Sequence, residues 1–405
     1  MKKYWKMTVT IIVIIVSIGS FYLTNKVAAD QNPDVTIETT SGDMAEIKSL
    51  VLDGSFFDSS SKSSTQVKIT AEGTNRNNNS FLNRLIGNPP TVIKDLRQKN
   101  RNFMRGKDPI ENLFFENDQF LAYANVSYQT SGSLQSYNYQ FDISILNKEE
   151  SKTDSFKLQV PNQTMVEHVL MEDVQIIGGE LKLITQNMTR DNGVNNTEQH
   201  VYTVDIASQQ ISGDEAVLKL PEDQGDTQMN AQLIQTSPLQ DDENLIFMVT
   251  ESSIKKDLES TRFESVQKEM VTYNLLTKET TSIELPEDIQ TTDNQASFYD
   301  GEMIYFVKTE GGKLIVTSLN QESGKEDTSF EIELPYKLKD QNPPLMTIDN
   351  GKVYVATRSM NQNQKAFVVA VDTQTGKLLY SGELAVTSAE EMEEYVLYLY
   401  ELSVK

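Results

Sequence analysis

The sequence has no cysteine, two histidines and a single tryptophan in 405 residues. Without cysteine it can form no disulfide, no thiolate zinc site, no cysteine-held iron–sulfur cluster and no thiol nucleophile. His168 and His200 alone exclude a histidine-rich metal site and most imidazole relays. Positive charge is scarce too: 36 basic residues stand against 59 acidic ones, leaving a formal charge of −23 and a pI near 4.5. Such a chain repels phosphate backbones, so a nucleic-acid protein is excluded unless one segment gathers the positive charge. No nucleophile elbow, glycine-rich phosphate loop or metalloprotease helix is present, and no cofactor is expected.

Long apolar runs are equally rare, with one exception near the start. Met7 to Leu23 is uncharged and rich in Ile and Val, and it follows Lys2, Lys3 and Lys6. At ~1.5 Å rise per residue it spans about 25 Å, the short end of a bilayer core, with Trp5 and Tyr22 where interfacial aromatics belong. The pattern predicts a cytoplasmic basic N-terminus (1–6), a transmembrane signal-anchor helix (7–23), a polar linker (24–44) and an extracytoplasmic remainder. A cleaved signal peptide ending at Val27-Ala28-Ala29 is the competing reading, against which the apolar core exceeds the usual ~7–15 residues. No cysteine follows the run, so a lipoprotein anchor is excluded. A large cysteine-free domain on such an anchor reads as a bacterial cell-membrane protein.

Beyond the linker the chain consists of short β-branched and aromatic runs separated by Asp, Asn, Gly and Ser clusters. Asp349-Asn350-Gly351 leads into Lys352–Ala356, then Phe367–Asp372, a Thr373–Gly376 turn and Lys377–Tyr380. Upstream, Tyr299-Asp300-Gly301 leads into Met303–Phe306, Leu314–Leu319, a Ser323-Gly324 turn and Phe330–Pro335. Earlier units run from Phe120 to Pro161, from Leu181 to Pro221 and from Leu245 to Pro286. Proline cannot donate to a ladder, and these four, at intervals of roughly 50–65 residues, close the last strand of their units. Four short strands per unit, repeated, describe a β-propeller blade. A sixth, degenerate unit starts at Lys48–Gly54 and continues into Gln66–Ala71, and Tyr395–Val404 is expected to pair with N-terminal strands. The expected fold is an all-β propeller over 45–405, with six blades, or seven if the two termini together build one more.

Val369-Ala370-Val371-Asp372-Thr373-Gln374-Thr375-Gly376-Lys377-Leu378-Leu379-Tyr380 resembles the blade motif of quinoprotein-type (PQQ-like) β-propellers. In that family a Trp follows the Gly-Lys pair and locks neighbouring blades; Tyr380 stands in its place, and the sole Trp, Trp5, lies in the expected anchor. The resemblance therefore implies the fold and not a redox activity, and is similar to that of non-catalytic members acting as envelope scaffolds.

Other candidate chemistry is thin. His168, in the alternating run Val166–Leu170, reads as an edge-strand or satisfied core residue, and His200 as an exposed residue ahead of a strand. Asp241-Asp242-Glu243, Glu222-Asp223 and Asp372 read as solvated turns. The stretch from Arg76 to Lys107 differs: eight basic residues face one acid, Asp95, a local charge of +7. A helix is expected from an N-cap at Thr91 to Arg105, ending at Gly106. Its apolar stripe is Val92, Leu96 and Phe103 with Ile93 and Met104 beside it, and Lys94, Arg97, Arg101 and Arg105 take the opposite side. Such a helix either packs on the propeller or docks on an envelope protein, anionic lipid or wall polymer. Two function classes remain: a membrane-tethered extracytoplasmic binding or scaffold module using those four residues, and a quinoprotein-like or hydrolytic enzyme with its site in the propeller channel. No converging set of catalytic side chains is legible, which favours the binding module.

Overall fold

The computed structural model describes residues 34–59, 63–75, 89–130, 136–163, 166–191, 194–220, 227–236, 241–256, 261–290, 296–333, 344–361, 365–387 and 395–404. The expected cytoplasmic tip, the anchor at 7–23 and the exit site at Val27-Ala28-Ala29 lie outside them. Among the described residues no helix is long and apolar enough to cross a membrane. The chain is all-β and propeller-like in organisation, with six sheets of four or five strands among the described residues. These residues form two compact units, one drawn from both ends of the chain and one from its middle.

The N-terminal part supplies β1 (Asp34–Gly42), β2 (Leu50–Asp58), β3 (Ser63–Thr70) and β4 (Gly73–Asn75). β1 corrects the expectation of a linker reaching to residue 44. Only Val35 and Ile37 alternate inward there, too short an apolar signal to read as a strand, yet both are buried and β1 pairs antiparallel with a strand from the far end of the chain.

The middle unit opens with the helix α1 (Thr91–Lys99), which is shorter than expected. Pro90 occupies the N-cap, Thr91 is the buried first residue of the helix, and Asn100 ends it with its N–H on the Leu96 carbonyl. Turns then carry the chain to Gly106, so Arg101 and Arg105 lie beyond the helix rather than on its face. Four sheets follow. The first holds β5 (Phe114–Glu116), β6 (Phe120–Thr130), β7 (Ser136–Asn147) and β8 (Lys152–Gln159) in order. The second holds β9 (Val166–Ile177), β10 (Glu180–Asp191), β11 (Val194–Asp205) and β12 (Gln210–Lys219). In the third, β13 (Thr227–Leu233) pairs with β15 (Asn244–Lys256), followed by β16 (Thr261–Asn274) and β17 (Thr280–Ile283); the two-residue strand β14 (Gln235–Thr236) lies between β13 and β15 in sequence. After the helical turn α2 (Glu287–Gln290), the fourth sheet runs through β18 (Ala296–Tyr299), β19 (Met303–Glu310), β20 (Lys313–Asn320) and β21 (Glu326–Glu333), with β14 parallel to β18 at its edge. β22 (Leu345–Asp349) ends the unit.

Burial follows position in the sheet. Inner strands such as β6 and β10 hold runs of consecutive buried residues, Leu121–Ala124 and Leu181–Thr185, whereas the outer strands β8 and β12 alternate between half-buried and exposed. Val160 and Leu220 make the last ladder hydrogen bond of their sheets, to the carbonyls of Tyr139 and Thr197, and in each the proline comes next. One apolar cluster joins the first two sheets, and Ile93, Leu96, Phe103 and Met104 insert into it. At ~1.5–3 kcal/mol for each fully buried large side chain, that insertion makes the basic segment an integral part of the core.

One six-residue turn recurs between the third and fourth strands. Asn147, Asp205, Asn274, Asn320 and Asp372 each accept, on a side-chain oxygen, the N–H of the residue three positions on. The residue four positions on is left-handed in every case: Ser151 (φ 53°), Gln209 (φ 55°), Lys278 (φ 64°), Gly324 (φ 63°) and Gly376 (φ 64°).

The C-terminal part supplies β23 (Lys352–Ala356), β24 (Ser359–Asn361), β25 (Ala366–Asp372), β26 (Leu378–Thr387) and β27 (Tyr395–Val404). Within the terminal unit they form the order β1-β26-β25-β23 in one sheet and β24-β27-β2-β3-β4 in the other. Tyr395–Val404 thus pairs antiparallel with Leu50–Asp58, and the Tyr395 ring stacks on Phe56 with centroids 5.4 Å apart. Tyr380 is fully buried, and its hydroxyl lies 3.2 Å from that of Thr39.

Candidate functional site

The basic segment, as folded, is a layer with two sides. Its apolar side chains enter the core, while Lys99, Arg101 and Arg105 are exposed and Arg97 is half-buried. None of these four forms an ion pair with a described carboxylate. Lys94 does not join them: its ammonium is shielded from solvent, because the residue sits one position from the buried Ile93. Lys107 turns inward as well, donating to the Phe103 carbonyl at 2.6 Å and lying 4.1 Å from the Phe103 ring centroid; burial lowers its pKa. Arg76 and Arg84 lie outside the described residues.

A second feature of the middle unit was not anticipated. A cavity of about 440 Å³ is walled by the one-turn helix Glu111–Leu113, the middle of β9, the β13–β14 segment and the start of β15. Asn112 ties the helical turn to β9 by donating to the carbonyls of Met171 (3.4 Å) and Glu172 (3.0 Å). Glu111, Glu172, Asp173 and Asp242 line the space, and no Lys, Arg or His is among its described lining residues.

Gln175 connects two of these acids. Its Nε2 donates to Asp173 Oδ2 at 2.9 Å, and its Oε1 accepts the backbone N–H of Asp242 at 3.4 Å. Asp242 is only 4% exposed, which overturns its reading as a solvated turn: two acidic neighbours in sequence concealed that one of them points inward. Neither of its carboxylate oxygens accepts a well-formed hydrogen bond from a described residue, although the Thr236 hydroxyl offsets part of the burial. Burial, reinforced by Asp241 and Asp300, pushes the Asp242 carboxyl up to about 6. Burial likewise pushes Asp173 to about 7, with Asp242 adding repulsion, and Glu172 to about 7, with Asp173 adding repulsion. Among the described residues no group of three or more Asp, Glu or His is placed to hold a metal ion.

His200 corrects another expectation, since it lies inside β11 and is buried. Its Nε2 hydrogen-bonds Asp214, its Nδ1 is 3.7 Å from Glu198, and its ring stacks on Tyr202 at 4.5 Å. Glu198, His200 and Tyr202 alternate along one face of β11, beside a cavity of about 500 Å³. Asn187 donates to the Tyr202 hydroxyl at 2.8 Å and so fixes that ring. His168 sits exposed on the edge strand β9. Asp372 is half-buried and holds its turn, and its hydrogen bonds from Thr375 lower its pKa.

No family model matches the chain, and no curated protein matches it. Solved structures resemble it at a distance. A chain of the mitotic checkpoint complex is 10% identical with a TM-score of 0.33, covering 67% of this chain and 62% of that one. A Synechocystis apocarotenoid oxygenase mutant is 12% identical with a TM-score of 0.33, covering 68% and 65%. The polysaccharide lyase Uly1 is 9% identical with a TM-score of 0.34, covering 67% and 57%. The chain thus spans less than two thirds of each of these proteins, and likeness at this level leaves its function open.

Proposed function

We propose that the chain is a membrane-tethered, extracytoplasmic binding or scaffold module, a six-bladed β-propeller that docks on an anionic surface through its basic segment. The observation that carries this reading is the two-sided segment from Thr91 to Lys107. Ile93, Leu96, Phe103 and Met104 fix it in the core, while Arg97, Lys99, Arg101 and Arg105 have no described carboxylate partner in a chain of net charge −23. A rigid base keeps the four cations together at no further cost in order. Near an anionic membrane each contributes on the order of 1 kcal/mol before screening, enough to orient a domain already confined by an anchor.

The test is flotation of the domain comprising residues 30–405 with phosphatidylglycerol or phosphatidylcholine vesicles. Binding should require the anionic lipid, fall with salt, and drop at least tenfold in the quadruple variant Arg97→Gln, Lys99→Gln, Arg101→Gln, Arg105→Gln at unchanged thermal stability. Equal binding of the variant and the parent would remove the docking role. A reporter fused after Lys405 that works only outside the cytoplasm tests the topology.

A further inference from the structure

The acid-lined cavity carries an inference independent of the basic segment. It gathers several carboxylates, and one of them, Asp242, is buried. Buried carboxylates are ordinarily matched by a cation or by several donors, because an isolated charge in a low-dielectric interior is costly. Here four acids share one space, and no basic residue stands among its described lining residues. Both oxygens of the nine-tenths-buried Asp242, and Oε2 of Glu172, lack a well-formed hydrogen bond from any described residue. A primary ammonium presents three N–H donors and one positive charge, and Asp242 offers it two acceptor oxygens.

The rest of the wall limits what can carry that ammonium. Leu113, Met171, Ile234, Leu245 and Ile246 line the cavity, and Leu170 is half exposed at it. Its volume of about 440 Å³ lies within the range of sites for small organic molecules, ~300–1,000 Å³. A bare metal ion suits it less, since no described group of three acids is placed to coordinate one. We infer that this cavity is a binding site for a small organic amine, its ammonium held by Asp242 and Glu172 and its hydrocarbon body laid along the apolar wall.

Titration calorimetry of the full-length protein in detergent, at pH 7.5, provides the test with hexylamine, 1-hexanol, hexanoate and Ca²⁺ as probes. Hexylamine should bind saturably with one site per chain, and hexanol and hexanoate at least tenfold more weakly. Asp242→Asn, an isosteric change that removes a buried charge, should weaken hexylamine at least tenfold without lowering the melting temperature. Glu172→Gln, measured in parallel, should do the same, so the inference stays open to failure even if one variant misfolds. Absence of saturable hexylamine binding, equal binding of hexanol, or full affinity in both variants would overturn it. Stoichiometric Ca²⁺ binding that displaces the amine, or binding of a lysine-containing peptide where hexylamine fails, would overturn it in favour of a metal site or a protein interface. None of these readings involves vesicles or Arg97, Lys99, Arg101 and Arg105, so failure here and failure of the docking role are separate results.

Discussion

Gly324 and Ile283 stand so close that a Cβ added to the glycine would lie 2.2 Å from Ile283 Cγ2. The turn after β20 therefore presses on the end of the outer strand β17 of the preceding sheet, and glycine is required there twice over, for space and for its φ of 63°. Gly324→Ala should destabilise the protein by about 2–3 kcal/mol, from overpacking plus left-handed strain. In a denaturant titration, Gly324→Ala should cost less in an Ile283→Ala background than in the parent, a recovery read from the double-mutant cycle. No recovery would mean that strain alone accounts for the defect.

The acid-lined cavity makes a signed prediction about pH. Carboxyls whose folded pKa is raised bind protons more readily folded than unfolded, so stability falls as pH rises through the interval between the two values. For Asp242 that interval runs from the unfolded value of ~3.9 to about 6, and for Glu172 and Asp173 from ~4 to about 7. The described charged groups nearest them are Glu111, Asp241 and Asp300, all acidic, so repulsion adds to the burial and keeps the sign. Glu215, Asp205 and Asp372 have lowered values and act in the opposite sense, but only at lower pH. The melting temperature should therefore decline by several degrees from pH 5 to pH 7.5, and Asp242→Asn should flatten the decline. A profile unchanged by that substitution would show that Asp242 ionises freely.

The third prediction concerns β27. Leu397 and Leu399 are fully buried, and the strand pairs with β2 along its whole length and with β24 on its other side. Removing Tyr395–Val404 leaves both neighbours with unpaired edges and uncovers Phe56. The truncated protein should aggregate on expression, or melt broadly with raised light scattering. A sharp transition near the parent temperature would show that β27 is dispensable.

The strands were readable in the sequence because alternation and unbroken apolar runs report directly on sheet position. Phe367–Val371 lies in an inner strand and reads as one, and the apolar-proline pairs mark where outer strands end. β1 was not readable, since two inward residues do not make a pattern and its partner is at the other end of the chain. The recurring turn was recognised only at Ser323-Gly324 and Thr373–Gly376, where glycine takes the left-handed position. At Ser151, Gln209 and Lys278 the same backbone is carried by residues that do not advertise it, and the Asn or Asp four positions earlier is the better marker.

The sites divide in the same way. The charge of the basic segment and its apolar stripe are visible in composition and spacing, but the inward turn of Lys94 depends on what covers the helix. The spacing of Glu198, His200 and Tyr202 on one strand face is a signal that period-two reading can find. The acid-lined cavity is not legible, because Glu172 and Asp242 come to line one space from distant parts of the chain and their carboxyls look like dozens of others among 59 acidic residues.

Weaving both ends of the chain into the same two sheets sets a clock on folding. Thr39 and Tyr380, whose hydroxyls come together, are 341 residues apart in sequence. At ~5–20 residues per second of synthesis, β1 waits on the order of 20–70 s for its partner to be made. β2 waits about as long for β27. The N-terminal strands are thus the first to be made and the last to be completed, and any factor that shields their open edges has to stay bound for most of the time the ribosome spends on the chain.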